Sequence, residues 1–238
     1  MRPRSQQRIT FRAHDEYALE VMSSPKPALE LVPDWWKMMP SYANGKTKLL
    51  LDPFPVVTVK RCLPSFDGLT AGYIFTLWAD VQVSYDDKTG TSIKWLVDRP
   101  VFDTWSDGQV SNYELPDGFG KTVFKYKYGF DIQTPRGYSS LITHPLAYPN
   151  LPFRVIPGIV DTDILKTDIN TPLVFKQGFE GILEKGTPMF QLIPVQRQNW
   201  VAETVVQKPK EHDLNLQKLR TNIVSSYGRH MRVPKSYK

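Results

Sequence analysis

Twenty prolines punctuate this chain of 238 residues, against fourteen glycines. A proline fixes φ at about −65° and removes a backbone donor, so neither a long helix nor a central strand runs through one. The segments between them are short and carry many β-branched and aromatic residues. This spacing predicts a mainly-β protein of many short strands and fixed loops. With 41% hydrophobic and 23% charged residues the chain can bury a core, and its length suits one large β domain or two small ones. No apolar run approaches the roughly 18 residues of a membrane span. The basic start, MRPRSQQRITFR, has no apolar segment behind it, so no secretory signal is expected. Cys62 is alone, which excludes an intrachain disulfide and suits a reducing compartment.

Charge is uneven. The chain totals +6, with +4 in residues 1–12 and +5 in 203–238, leaving 13–202 at −3. Basic ends either touch nucleic acid weakly or are solvated tails.

Residues 1–53 read as an extended arm. Within it Asp34 caps a short helix between Pro33 and Pro40. The pair Trp35 and Trp36 is a candidate interaction surface, anchoring the arm to the body or to a neighbouring subunit. Residues 54–202 form the β body. Strands are expected at 54–61, within 69–83, at 92–97 and at 121–128, with a turn at Asp86–Gly90. Residues 98–120 read as loops in which Asp103 and Asp107 are turn residues, and no metal site is expected. On the 121–128 strand Lys121, Lys125 and Lys127 share a face, either solvated or facing phosphates. Residues 203–238 form a helix and a basic tail. Leu216, Leu219, Ile223 and Tyr227 make one apolar helical face, bounded by Asp213 and Gly228, which needs the body or another protein as partner.

The motifs that carry chemistry lie at 69–195. Ala71-Gly72-Tyr73-Ile74 opens a strand, and Gly72 suits a bulge or a close backbone approach. Pro135-Arg136-Gly137-Tyr138 forms a turn. Pro157-Gly158 leads into Asp161-Thr162-Asp163. Lys185-Gly186 turns the chain into Met189-Phe190-Gln191-Leu192-Ile193. In this order the segments resemble the motifs of the dUTPase and dCTP deaminase superfamily. The resemblance implies a distorted β-barrel or jelly roll, a homo-oligomer (a trimer in that family) and nucleotide sites at subunit boundaries. It makes Asp161 the base-like carboxylate, with Asp163 beside it, and Gly72, Tyr73, Arg136, Gly158 and Gln191 nucleotide-binding candidates.

Several positions depart from the family pattern. Ile74 stands where the first motif has Asp, and Pro188 where the fourth has Arg. Thr143-His144-Pro145-Leu146-Ala147 replaces an Arg-Ser phosphate segment, and no glycine-rich C-terminal lid is present. Each loss removes a charge-assisted contact worth roughly 1.5–3 kcal/mol. His144 is either a replacement ligand or base, or a loop residue before a proline. Asp161 and Asp163 are either catalytic or hold their turn through side-chain-to-backbone bonds.

The chain also resembles an uncharacterised family of tailed phages and bacteria, through Asp34-Trp35-Trp36-Lys37, Thr58-Val59-Lys60-Arg61-Cys62, Thr70-Ala71-Gly72-Tyr73-Ile74 and Thr143-His144-Pro145-Leu146. That resemblance implies a phage-related protein, in the virion or the host cytoplasm. The favoured expectation is a non-catalytic oligomeric structural or interaction module, without cofactor. The alternative is a divergent nucleotide-binding or nucleotide-hydrolysing protein using Asp161, with Mg²⁺.

Overall fold

A computed structural model describes residues 7–43, 57–206, 213–214, 217, 227–228 and 232–238. The described residues are mainly β, as the proline spacing predicts. Their strands are β1 (Thr10–Ala13), β2 (Lys26–Pro27), β3 (Tyr73–Thr76), β4 (Val81–Asp86), β5 (Gly90–Trp95), β6 (Phe102–Thr104), β7 (Phe119–Tyr126), β8 (Phe130–Gln133), β9 (Tyr138–Thr143), β10 (Phe153–Val155), β11 (Gly158–Val160), β12 (Thr171–Lys176), β13 (Gly181–Leu183) and β14 (Pro188–Gln196). The short helices are α1 (Glu16–Glu20), α2 (Asp34–Met38), α3 (Leu63–Leu69) and α4 (Asp107–Val110).

The largest sheet has the order β11-β9-β14-β3-β2. A second runs β10-β12-β7-β6, a third β13-β4-β5, and β1 pairs with β8. Every pairing is antiparallel. The core lies where the aromatic side chains of the two larger sheets meet. Phe75 of β3 stacks on Phe190 of β14 at 4.3 Å, and Tyr126 of β7 reaches Phe190 at 6.4 Å. The polar tips of these large side chains are satisfied inside. The Tyr126 hydroxyl donates to the Thr76 carbonyl, and the Trp78 indole to that of Lys127, both at 2.7 Å.

The expected arm is woven into this body, since β1 pairs with β8 and β2 with β3. Trp36 is buried and stacks on Phe66 of α3. The Trp35 indole donates to the Ala147 carbonyl at 2.9 Å.

The strand expected at 54–61 does not form in its described part. Val57 makes an isolated bridge to Tyr42, and Val59–Arg61 is a 3₁₀ turn. The Lys60 ammonium lies 5.5 Å over the Trp36 ring and donates to the carbonyls of Trp36 and Lys37. These contacts to the end of α2 outweigh the β preference of the valines. The run at 69–83 is broken in two: α3 ends at Leu69, and bends separate β3 from β4. The 98–120 loop contains β6 and α4. Lys125 is neither solvated nor free for phosphate, because it pairs with Asp103 at 2.8 Å. Of the expected C-terminal helix face, Leu216, Leu219 and Ile223 lie outside the described residues.

Candidate functional site

The acidic pair lies at the end of β11, held against the start of β9. Register decides what surrounds it. β14 pairs with β9 up to Gln196 opposite Tyr138, so the next residue, Arg197, sits beside Gly137 and donates its N–H to the Gly137 carbonyl at 2.8 Å. Its guanidinium then turns onto the carboxylates. Nη1 reaches Asp163 Oδ1 at 2.7 Å and Asp161 Oδ1 at 3.1 Å, while Nη2 donates to Asp163 Oδ2. The same Nη1 also reaches the Tyr138 carbonyl and Ser139 Oγ, each at 3.2 Å.

The two carboxylates differ. The Asp163 side chain is 4% exposed and also accepts the Gly137 N–H at 2.8 Å. The Arg197 guanidinium, followed by that N–H, holds its pKa down to about 2. The Asp161 side chain is 55% exposed and accepts from Ser139 Oγ at 2.6 Å. Their own turn is closed by backbone: the N–H groups of Ile164 and Leu165 both donate to the Asp161 carbonyl at 2.9 Å. Of the two aspartates, only Asp163 makes a side-chain-to-backbone bond, and it ties the neighbouring turn.

Between them, buried Thr162 belongs to a hydroxyl relay. Thr134 Oγ1 commits its one proton to the Tyr138 carbonyl at 3.0 Å. Thr162 must therefore donate to Thr134 at 2.8 Å, and Ser140 to Thr162 at 2.9 Å. The order of donors is fixed, and the floor under the acidic pair is rigid and fully bonded.

The remaining candidates scatter. Gln191 is fully buried and saturated. Its Oε1 accepts the Leu146 N–H at 2.8 Å, and its Nε2 donates to the Ala71 carbonyl at 2.6 Å. Its side chain braces the 146 loop against the residue before Gly72. Gly72 has φ +68°, and a Cβ there would stand 1.9 Å from the Leu192 carbonyl oxygen. That is the close backbone approach its sequence suggests. Tyr73 is buried, its ring edge-on to Phe11 and Tyr237, and its hydroxyl donates to the Lys238 carbonyl at 3.3 Å. Gly158 and Arg136 are exposed. His144 lies in the loop after β9, before Pro145, but is only 7% exposed, and its Nε2 contacts the Tyr148 carbonyl at 3.0 Å. Burial pushes its pKa down to about 4.

Sequence reasoning missed Arg197. The clue was an acidic pair without a cation, but only the β9–β14 register supplies one. It also missed His14, whose Nε2 lies 3.1 Å from Asp131 and 2.8 Å from Asp168. Among the described residues these three have ligand atoms within 4.8 Å of one another, a spacing open to a cation. Asp161 and Asp163 fit Mg²⁺ poorly, because a guanidinium already engages both oxygens of Asp163 and Oδ1 of Asp161.

No protein-family model matches the chain, and no curated protein does. Among solved structures it is similar to native EIAV dUTPase, with 17% identity, covering 57% of this chain and 87% of that one, at a TM-score of 0.32.

Proposed function

We propose that this protein is a non-catalytic member of the dUTPase-like fold that acts as an oligomeric structural or interaction module. The observation that carries the reading is the clamp of Arg197 on Asp161 and Asp163. A general base has to be free to take a proton, with a pKa near the working pH. Asp163, at about 2, is a poor base and is almost fully covered. Asp161 already accepts from Ser139 and Arg197. The segment in place of the phosphate motif offers a buried neutral imidazole, where a triphosphate needs cationic donors.

The module half of the reading rests on β11. It is an edge strand of the largest sheet, and Ile159 upon it is 69% exposed, as is Ile164 just beyond. An open edge with apolar side chains is a pairing surface. The virion as its setting, and three copies as its number, follow from the resemblances alone.

Two measurements test the proposal. With dUTP or dCTP and Mg²⁺, ³¹P NMR should show unchanged nucleotide after a day. Light scattering on a sizing column should show an oligomer that Ile159→Lys dissociates. Turnover that Asp161→Asn abolishes would install the alternative, a divergent nucleotide hydrolase. A wild-type monomer at high concentration would remove the module.

A further inference from the structure

Three side chains able to ligate a metal converge where the N-terminal strand joins the body, and none of them belongs to the Asp161–Arg197–Asp163 cluster. His14 follows β1, and its backbone N–H donates to the Gly129 carbonyl at 3.1 Å. That pairing brings its ring to Asp131 of β8, and Asp168 comes from the loop before β12. His14 Nε2 lies 3.1 Å from Asp131 Oδ1 and 2.8 Å from Asp168 Oδ1. The three side chains are 34%, 33% and 45% exposed, so ions in solvent reach them.

Hydrogen bonding leaves this meeting incomplete. Nε2 carries at most one hydrogen. Among the described residues only the approach to Asp131 has the geometry of a hydrogen bond, although Asp168 offers the nearer oxygen. Two like charges therefore converge on one ring nitrogen, all three atoms within 4.8 Å of one another. No lysine or arginine of the described residues pairs with either carboxylate. Arg12 stands opposite Asp131 in the β1–β8 register, yet makes no ion pair with it. Both charges are felt in the core: burial first, and then Asp168 and Asp131, push the pKa of the Tyr128 phenol up.

The separations suit a shared ion. Ligand atoms about 2.1 Å from one ion, at right angles, stand about 3.0 Å apart. We propose that His14, Asp131 and Asp168 bind one divalent transition-metal ion of the Mn²⁺, Co²⁺ and Zn²⁺ kind, with water completing its coordination. The ring holds its hydrogen on Nδ1 and gives the Nε2 lone pair to the ion, while the carboxylates balance its charge. An imidazole between two carboxylates favours these ions over Mg²⁺ and Ca²⁺, which take oxygen ligands. β1 and β8 form a sheet of only two strands, which is marginal without further support. The ion fastens that pair to the loop before β12, whether or not Asp161 is catalytic.

The probes are Zn²⁺ and Co²⁺, with Mg²⁺ for comparison, added at pH 7 to the full chain after chelator treatment. Calorimetry should show saturable binding of Zn²⁺ and Co²⁺, with Mg²⁺ weaker by about tenfold or more. In long-range ¹H–¹⁵N NMR, Zn²⁺ should move the His14 Nε2 resonance to that of a metal-bound nitrogen. It should also raise the melting temperature and slow amide exchange on β1 and β8, and EDTA should reverse both. His14→Gln and Asp168→Asn should each weaken Zn²⁺ about tenfold or more. Should a variant fail to fold, the His14 resonance of the wild type still decides. The proposal is overturned if neither Zn²⁺ nor Co²⁺ saturates, or if His14 Nε2 stays still while Zn²⁺ binds. It is also overturned if both variants bind Zn²⁺ as wild type does, which would place the ion on the chain's other histidines. The cluster would then be a single histidine hydrogen between two carboxylates.

Discussion

Between pH 4 and 2 the clamp of Arg197 on Asp163 comes apart, and the sign of its effect follows from the direction of the shift. The folded pKa lies below the ordinary carboxylate value of 3.8, at about 2. The unfolded chain therefore takes up a proton first as pH falls. The contribution is complete above the unfolded value and is lost through the folded one. Urea midpoints of wild type should drop across that window more steeply than those of Asp163→Asn, and superimposable profiles would contradict the clamp. His144 acts at a different pH. Its value is lowered from 6.5 to about 4, so the neutral ring stabilises the fold above 6.5 and progressively less down to 4. The full shift corresponds to about 3 kcal/mol. In His144→Phe this slope between pH 6.5 and 4 should vanish; if it persists, another group titrates there. At this scale the sequence marks Asp161-Thr162-Asp163 clearly but is silent on Arg197. A carboxylate pair one residue apart is a local pattern, whereas its cation arrives through a strand pairing 34 positions away from Asp163.

Strand β3 and its neighbour β14 depend on two residues that carry no chemistry. Gly72 is in the left-handed region, with the Leu192 carbonyl oxygen where a Cβ would be. Gly72→Ala should therefore destabilise by more than the roughly 1–3 kcal/mol of backbone strain alone, read from urea unfolding. A loss under 1 kcal/mol would mean the two strands can part cheaply. Gln191 crosses from β14 to the carbonyl before Gly72 and to the Leu146 N–H. Gln191→Leu takes the partner from two part-buried backbone groups and should cost about 1–3 kcal/mol, the range for one fully buried unsatisfied group. Its amide exchange at Leu146 should also speed up. Elements were legible where composition and turn chemistry agreed: Asp86 accepts from the N–H groups of Lys88 and Thr89 at 2.9 Å, which builds the expected turn. They were illegible where tertiary contacts prevailed. The 3₁₀ turn at Val59–Arg61 exists because Lys60 reaches α2, and α3 contains Pro64 and Gly68 in a stretch with no helical periodicity. The mainly-β class was readable throughout, because twenty prolines leave few other choices.

Across the whole molecule, the two ends meet on one side chain. Phe11 and Tyr237 both lie edge-on to Tyr73, at 5.1 and 6.0 Å. Nearby, Arg232 and Lys235 pair with Asp67 of α3, at 2.6 and 2.9 Å, and the Asp67 side chain is only 8% exposed. These two cations of the basic tail are thus paired with the protein's own Asp67, which the net charge of the segment does not reveal. Arg232→Met should leave Asp67 undercompensated and cost about 1.5–3 kcal/mol, with the melting temperature as readout. An unchanged melting temperature would show that Lys235 suffices.

The contact between Tyr73 and Lys238 bridges 165 positions. Closing so long a loop brings no early reward, so contacts of this kind form late in folding. Synthesis imposes the same order, because Tyr73 emerges long before its partner is made. Before residues 232–238 dock, Tyr73 lacks its edge-on contact to Tyr237, and Asp67 lacks both of its cations. Residues 232–238 thus act as a cover laid over α3 and β3, and what they cover is an aromatic ring and a carboxylate that the rest of the fold leaves without these partners.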